Sequence, residues 1–132
     1  MRFEVPGKPQ GKGRTRSSNG KHYTPEETVM YENWIKICYQ QQANKHLGEG
    51  PISLTLTIYY PIPKSATKGK RLAMENNIIR PTIKPDSDNV LKAVADSLNK
   101  IAYKDDSQIV SVKVEKYYSD NPGLVITLEV AN

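Results

Sequence analysis

Cysteine occurs once in the 132 residues, as Cys38, and histidine twice, as His22 and His46. One cysteine excludes an internal disulfide and any cysteine-built zinc cluster, and two isolated histidines do not assemble a metal site. A metal in this protein would therefore be held by oxygen. Long apolar runs are missing too. No stretch approaches the roughly 20 residues that cross a bilayer, and Met1-Arg2-Phe3-Glu4-Val5-Pro6 lacks the apolar segment of a signal peptide. A cytoplasmic protein without membrane contact is expected.

What is present suits one folded domain over residues 1–132. Hydrophobic residues make up 37% and charged residues 25%, too rich in core-forming side chains for a disordered chain. The net charge of +5 is unevenly spread. Residues 1–24 hold six basic residues against Glu4, and residues 61–84 hold six against Glu75. The rest of the chain is acidic. Two basic segments on an acidic remainder point to a polyanion partner, and both segments, about 7–22 and 64–80, are expected to be mobile loops.

Along the chain, Phe3 to Val5 reads as a short strand, followed by a basic, glycine-rich stretch from Gly7 to Arg16. Thr24-Pro25-Glu26-Glu27 has the pattern of a capped helix start. Tyr31, Trp34, Ile35 and Cys38 follow as one apolar stripe, which places Trp34 and Cys38 in the core. That helix should fade near Leu47-Gly48. Ile52, Leu54, Leu56 and Ile58 alternate as a half-buried strand does. Residues 61–85 read as an irregular basic connection. A second helix follows from Asp86, with Val90, Leu91, Val94, Ala95 and Leu98 on its apolar face. Val110, Val112 and Val114 then mark a third strand, and Leu124 to Val130 a fourth, with Asp120-Asn121-Pro122-Gly123 as the turn between them. The order β-α-β-α-β-β predicts a two-layer α+β domain, a mostly antiparallel or mixed four-stranded sheet with two helices on one face.

Five of the six aspartates lie between positions 86 and 106: Asp86, Asp88, Asp96, Asp105 and Asp106. Converging carboxylates repel one another, and a cation relieves them. Mg²⁺ takes one or two carboxylates together with waters and phosphate oxygens, a site that can cut a phosphodiester. Ordinary caps and turns would place aspartates at the same positions. An EF-hand does not fit, because Leu91 stands where that loop needs glycine. Asp96 reads as a solvated helix residue, with a ligand to the same ion as the alternative. Lys92, one turn after Asp88, is either a surface ion-pair partner or a cation for a phosphate. Lys12, Arg14, Arg16, Lys68, Lys70 and Arg71 can follow a phosphate backbone, with His22 and Tyr23 able to stack or hydrogen-bond beside them.

The segments Lys84-Pro85-Asp86-Ser87-Asp88-Asn89-Val90-Leu91-Lys92, Asp96-Ser97-Leu98-Asn99 and Tyr103-Lys104-Asp105-Asp106-Ser107-Gln108-Ile109-Val110 together closely resemble the RusA family of Holliday junction resolvases. Gly7-Lys8-Pro9 and Arg14-Thr15-Arg16 extend the likeness toward the N-terminus. The resemblance implies a Mg²⁺-dependent homodimer, with Mn²⁺ as a substitute, that nicks two strands of a four-way DNA junction symmetrically. By position it implies Asp86, Asp88 and Asp106 as metal ligands, with Asp105 the alternative member of its pair, and Lys92 as the essential lysine. Two other readings remain open. One is a non-catalytic nucleic-acid binding module, and the other is a nuclease for flaps or branched phage DNA.

Overall fold

In the computed structural model, which describes residues 1–13, 16–23 and 25–131, the chain forms β1 (Arg2–Pro6), β2 (Arg16–Ser18), β3 (Lys21–Tyr23), α1 (Glu26–Gln42), β4 (Ile52–Pro61), α2 (Lys68–Glu75), α3 (Ser87–Leu98), a 3₁₀ turn (Asp106–Gln108), β5 (Ile109–Ser119) and β6 (Gly123–Val130). The main sheet runs β1-β6-β4-β5. β4 pairs antiparallel with β6 and parallel with β5, and β1 closes the far edge antiparallel to β6. This is the expected α+β arrangement in its mixed form. Parallel pairing of β4 with β5 needs a long crossover, and α2 and α3 lie within it.

The alternation read from the sequence builds the core. Ile52, Leu54, Leu56, Ile58 and Tyr60 of β4 are all buried, joined by Leu124, Ile126 and Leu128 of β6 and by Phe3 and Val5 of β1. α1 contributes Tyr31, Ile35, Cys38 and Tyr39, and α3 contributes Val90, Ala93, Val94 and Leu98. Phe3 meets Tyr39 edge to face, with ring centroids 5.3 Å apart. On α3, Ala93 and Ser97 take buried places, while Leu91 and Ala95 are only partly covered. No helix of the described residues is long and apolar enough to cross a membrane.

Several local expectations give way. The turn at Asp120–Pro122 does not join neighbouring strands, because β4 lies between β5 and β6. A tight turn can join adjacent strands or step over the end of one, and its residues do not distinguish the two. Residues 61–85 are not irregular throughout. α2 forms there, with the Thr67 side chain accepting from the Lys70 N–H at 3.3 Å and with Met74 buried. α1 stops at Gln42, short of Leu47, where the Ala43 N–H closes on the Tyr39 carbonyl and Asn44 turns left-handed. Its N-cap is Pro25, without a side-chain cap, and Thr24 lies outside the described residues.

Trp34 is not in the core. It is 39% exposed and donates its indole N–H to the Pro6 carbonyl at 2.8 Å, while Tyr39 fills the interior. Val110 and Val112 are exposed as well, since β5 is an edge strand whose pairing with β4 shifts at Ile52/Ser53. The glycine-rich N-terminal segment holds a hairpin, β2–β3, turned by Asn19 and Gly20 at positive φ. That turn chemistry suits a two-residue hairpin loop.

Gly123 opens β6 where β1 passes closest: a Cβ there would lie 2.6 Å from the Val5 carbonyl oxygen. Backbone cannot yield cheaply at that contact. Gly123→Ala should therefore destabilise the fold by about 1–3 kcal/mol, read as a lower urea midpoint at unchanged slope.

Candidate active site

α3 is held by its buried stripe, and this decides what its other face and its ends present. Asp86 is the N-cap with an extended backbone, yet its side chain makes no capping hydrogen bond. Asp88 stands in the first turn. Both carboxylates are exposed at the end of the helix where the dipole favours negative charge. Lys92 follows one turn later and is exposed. Tyr60 reaches from β4 to this end and donates its hydroxyl to the Pro85 carbonyl. Burial, and then the Asp86 charge, push the Tyr60 phenol up to about 12, so it stays a donor.

The second acidic pair divides into two roles. Asp105 caps the 3₁₀ turn: its carboxylate accepts from the Ser107 N–H at 3.1 Å and forms a capping box with Gln108. Gln108 also binds the strand entrance, taking the Lys104 and Asp105 N–H groups and donating to the Gly48 and Gly50 carbonyls. The Ser107 contacts hold the Asp105 carboxyl below its ordinary pKa. Asp106 is fixed by its backbone instead, its N–H donating to Asn99 Oδ1 at 2.9 Å. Its carboxylate is left outside the cap.

Asn99 is the C-cap of α3, about 16 Å along the helix axis from Asp88 at 1.5 Å per residue. Asp106 is therefore anchored toward the opposite end of α3 from Asp86 and Asp88. Between the ends stands Tyr103, buried, with its hydroxyl on the Ala95 carbonyl at 2.7 Å. Burial raises its pKa, and the charges of Asp106, Asp96 and Asp105 add to the rise.

The ion pairs separate structural charges from unengaged ones. Among the described residues, none includes Asp86, Asp88, Asp106 or Lys92. The Asp88–Lys92 surface pair that the spacing allows does not form. Asp96, expected to be solvated, instead pairs with Lys12 at 3.1 Å, and Glu32 holds the same ammonium at 3.0 Å. Burial alone would lower the Lys12 pKa, but these two carboxylates outweigh it and the net shift is upward. Lys12, grouped by sequence with the phosphate contacts, is thus a bridge between α1 and α3. Arg71 likewise ties α2 to Asp120 at 2.8 Å. Lys68 and Lys70 are exposed at the start of α2. Arg14 lies outside the described residues, as do the side chains of Arg16 and Tyr23.

The donor chemistry fits a hard cation. The unengaged acidic groups at the entrance of α3 are two carboxylates, Asp86 and Asp88, which meet what Mg²⁺ requires when water and phosphate complete its shell. Among the described residues no three acidic, histidine or cysteine side chains are grouped closely enough to hold a metal by themselves. Sequence reasoning missed Asn99, Gln108 and Tyr103. The capping-box spacing Asp105-x-x-Gln108 could have marked Gln108, whereas Asn99 and Tyr103 act through contacts that no local pattern marks.

Comparison with known proteins adds two findings. A family model described as Endodeoxyribonuclease RusA matches residues 6–129. An uncharacterized protein, YqaN of Bacillus subtilis (strain 168), is 37% identical over 134 residues, covering 97% of this chain and 94% of the relative.

The division between the paired aspartates can be measured. Asp105→Ala should lower the melting temperature at pH 7, because the capped turn loses its acceptor, while Asp106→Ala should leave it nearly unchanged. The Asp105 pKa is depressed below 3.8 in the folded state. Its contribution is therefore complete above about pH 4 and fades as pH falls through the folded value. The melting-temperature gap between Asp105→Ala and the unsubstituted protein should narrow on acidification below that point.

Proposed function

The chain belongs to the RusA family of endodeoxyribonucleases, and from that premise we propose that it is a Mg²⁺-dependent, structure-selective nuclease acting on four-way DNA junctions. In this reading it works as a homodimer in DNA recombination and repair, cutting by paired symmetric nicks, with Mn²⁺ able to replace Mg²⁺. The observation that carries the reading is the set of groups left without partners. Asp86, Asp88 and Asp106 keep their carboxylates outside every ion pair of the described residues, whereas Asp96 and Asp105 have structural duties. Asp86 and Asp88 stand two residues apart at one helix entrance, and a divalent cation would relieve the repulsion between them.

Asp86 and Asp88 would hold the ion; Asp106, the third ligand the resemblance implies, is anchored at the other end of α3 within one chain. Bound there, Mg²⁺ supplies stabilisation of charge on the phosphate oxygens and activation of water. Lys92, one turn from Asp88 and free of any carboxylate among the described residues, would hold the scissile phosphate and offset the charge that develops on it. Tyr60 fixes the loop that delivers Asp86, through the Pro85 carbonyl. Arg14, Arg16, Lys68 and Lys70 would contact the DNA backbone. Two copies related by a two-fold axis would match the near two-fold symmetry of a four-way junction and reach strands of like polarity.

A labelled synthetic four-way junction tests this directly. The protein should nick it in Mg²⁺ and Mn²⁺ and fail to do so in EDTA, with flaps and linear duplex cut more slowly. Asp88→Asn should lower the nicking rate by about 100-fold or more while junction binding survives. Binding without scission under every divalent metal would leave a nucleic-acid binding module, and full activity of pure Asp88→Asn protein would remove Asp88 from the site.

A further inference from the structure

An open cleft of about 500 Å³ lies between the N-terminal segment and the start of α3, lined by Lys8, Gln10, Lys84, Asp86 and Asn89 among others. Its two outer lysines, Lys8 and Lys84, are exposed, and no ion pair of the described residues includes either. We propose that this cleft seats a DNA backbone phosphate next to the one that is cut, with Lys8 and Lys84 as its cations and the Lys12 bridge as the strut that keeps it open. The proposal rests on the nuclease reading and deepens it by naming where the strand lies.

The segment that carries Lys8 is held at several points. The Gly7 N–H donates to the Pro122 carbonyl at 3.0 Å. Gly11 packs so closely on α3 that a Cβ there would lie 2.9 Å from the Asn89 Cβ and 3.3 Å from the Pro85 Cβ. The Lys12 N–H donates to the Asn89 carbonyl at 3.0 Å, and the Gly13 N–H to Thr28 Oγ1 at 2.9 Å. Lys12 Nζ then joins Glu32 on α1 to Asp96 on α3. Lys8 and Gln10 are thus presented from a span anchored on both sides. Lys84 faces them from two residues before Asp86, on a loop fixed by the Tyr60–Pro85 contact. Anchoring the two backbone segments removes part of the ordering cost of bringing both ammonium groups to one phosphate, and Lys serves such sites as a point charge. The position beside Asp86 makes the bound phosphate a neighbour of the reacting one.

The strut has a signature that a phosphate contact lacks. Removing a carboxylate near bound DNA ordinarily tightens binding, because repulsion falls. If Glu32 instead holds Lys12 in place, Glu32→Gln should weaken binding.

Fluorescence anisotropy of a labelled four-way junction in EDTA, across a salt series, reads both parts. Lys8→Ala and Lys84→Ala should each raise Kd roughly tenfold and flatten the log Kd against log salt slope by about 1, on junction and linear duplex alike. Glu32→Gln should raise Kd, and Lys12→Met combined with Glu32→Gln should bind no worse than the weaker single variant. Lys45→Ala, on the exposed segment after α1, should match the unsubstituted protein. Unchanged affinity and slope in both Lys8→Ala and Lys84→Ala would overturn the cleft while leaving the nuclease reading intact. Tighter binding by Glu32→Gln would overturn the strut. An unsubstituted protein that binds neither junction nor duplex would overturn the nuclease reading, and the cleft with it.

Discussion

Everything at the site depends on the burial of one stripe of α3. Val90, Val94 and Leu98 are fully enclosed against the sheet and α1, and each such side chain contributes about 1.5–3 kcal/mol by leaving water. Because they recur every four residues, the helix cannot rotate without exposing them. Each residue of slip along the stripe would turn the helix by about 100°. The stripe therefore sets the direction of Asp88 and Lys92, puts Asp86 at the rim, and brings Asn99 to the end where it receives Asp106. A packing constraint thus decides the placement of charged groups that themselves touch almost nothing.

Around that helix the charged side chains fall into two populations. Lys12, Glu32 and Asp96 lock α1, α3 and the N-terminal segment together, and Arg71 with Asp120 joins α2 to the turn after β5. The first of these is partly sheltered from water, where a three-membered bridge retains more of its attraction than an exposed pair does. Asp105 completes a cap. Asp86, Asp88, Asp106 and Lys92 have no such duty. A fold with +5 net charge has cations to offer the three carboxylates, yet among the described residues they and Lys92 stay outside every ion pair. The basic N-terminal segment belongs to both populations, with Lys12 turned inward as a tie and Lys8 outward to solvent.

Much of the fold was legible because periodicity reports burial. The alternation of Ile52 to Ile58 and of Leu124 to Val130, and the stripe from Val90 to Leu98, each mark a face that must leave water, and each is buried as expected, with Val130 at the strand end and the half-covered Leu91 and Ala95 excepted. Legibility failed where two outcomes share one local pattern. Trp34 sits at a spacing that suits the core, but Tyr39 fills the space and Trp34 finds a carbonyl outside. Val112 alternates correctly and is still exposed, because edge position is a property of the whole sheet. Asn19-Gly20 was a readable hairpin turn within a stretch dominated by glycine and charge.

The amino-acid order by itself determined the chemistry on offer: oxygen donors in place of thiolates or imidazoles, carboxylates at a helix entrance and before a strand, a lysine one turn on, and basic segments outside them. Residue type and near-neighbour spacing suffice for that, since they set charge, donor atoms and helix face. Only the tertiary structure decided which charges are available. Lys12 and Arg71 are tied to carboxylates far away in the chain, and Asp105 and Asp106 part company because one meets a turn and the other meets Asn99. A charge is available or engaged according to what lies within a few ångströms of it, and folding brings those neighbours from distant positions in the chain.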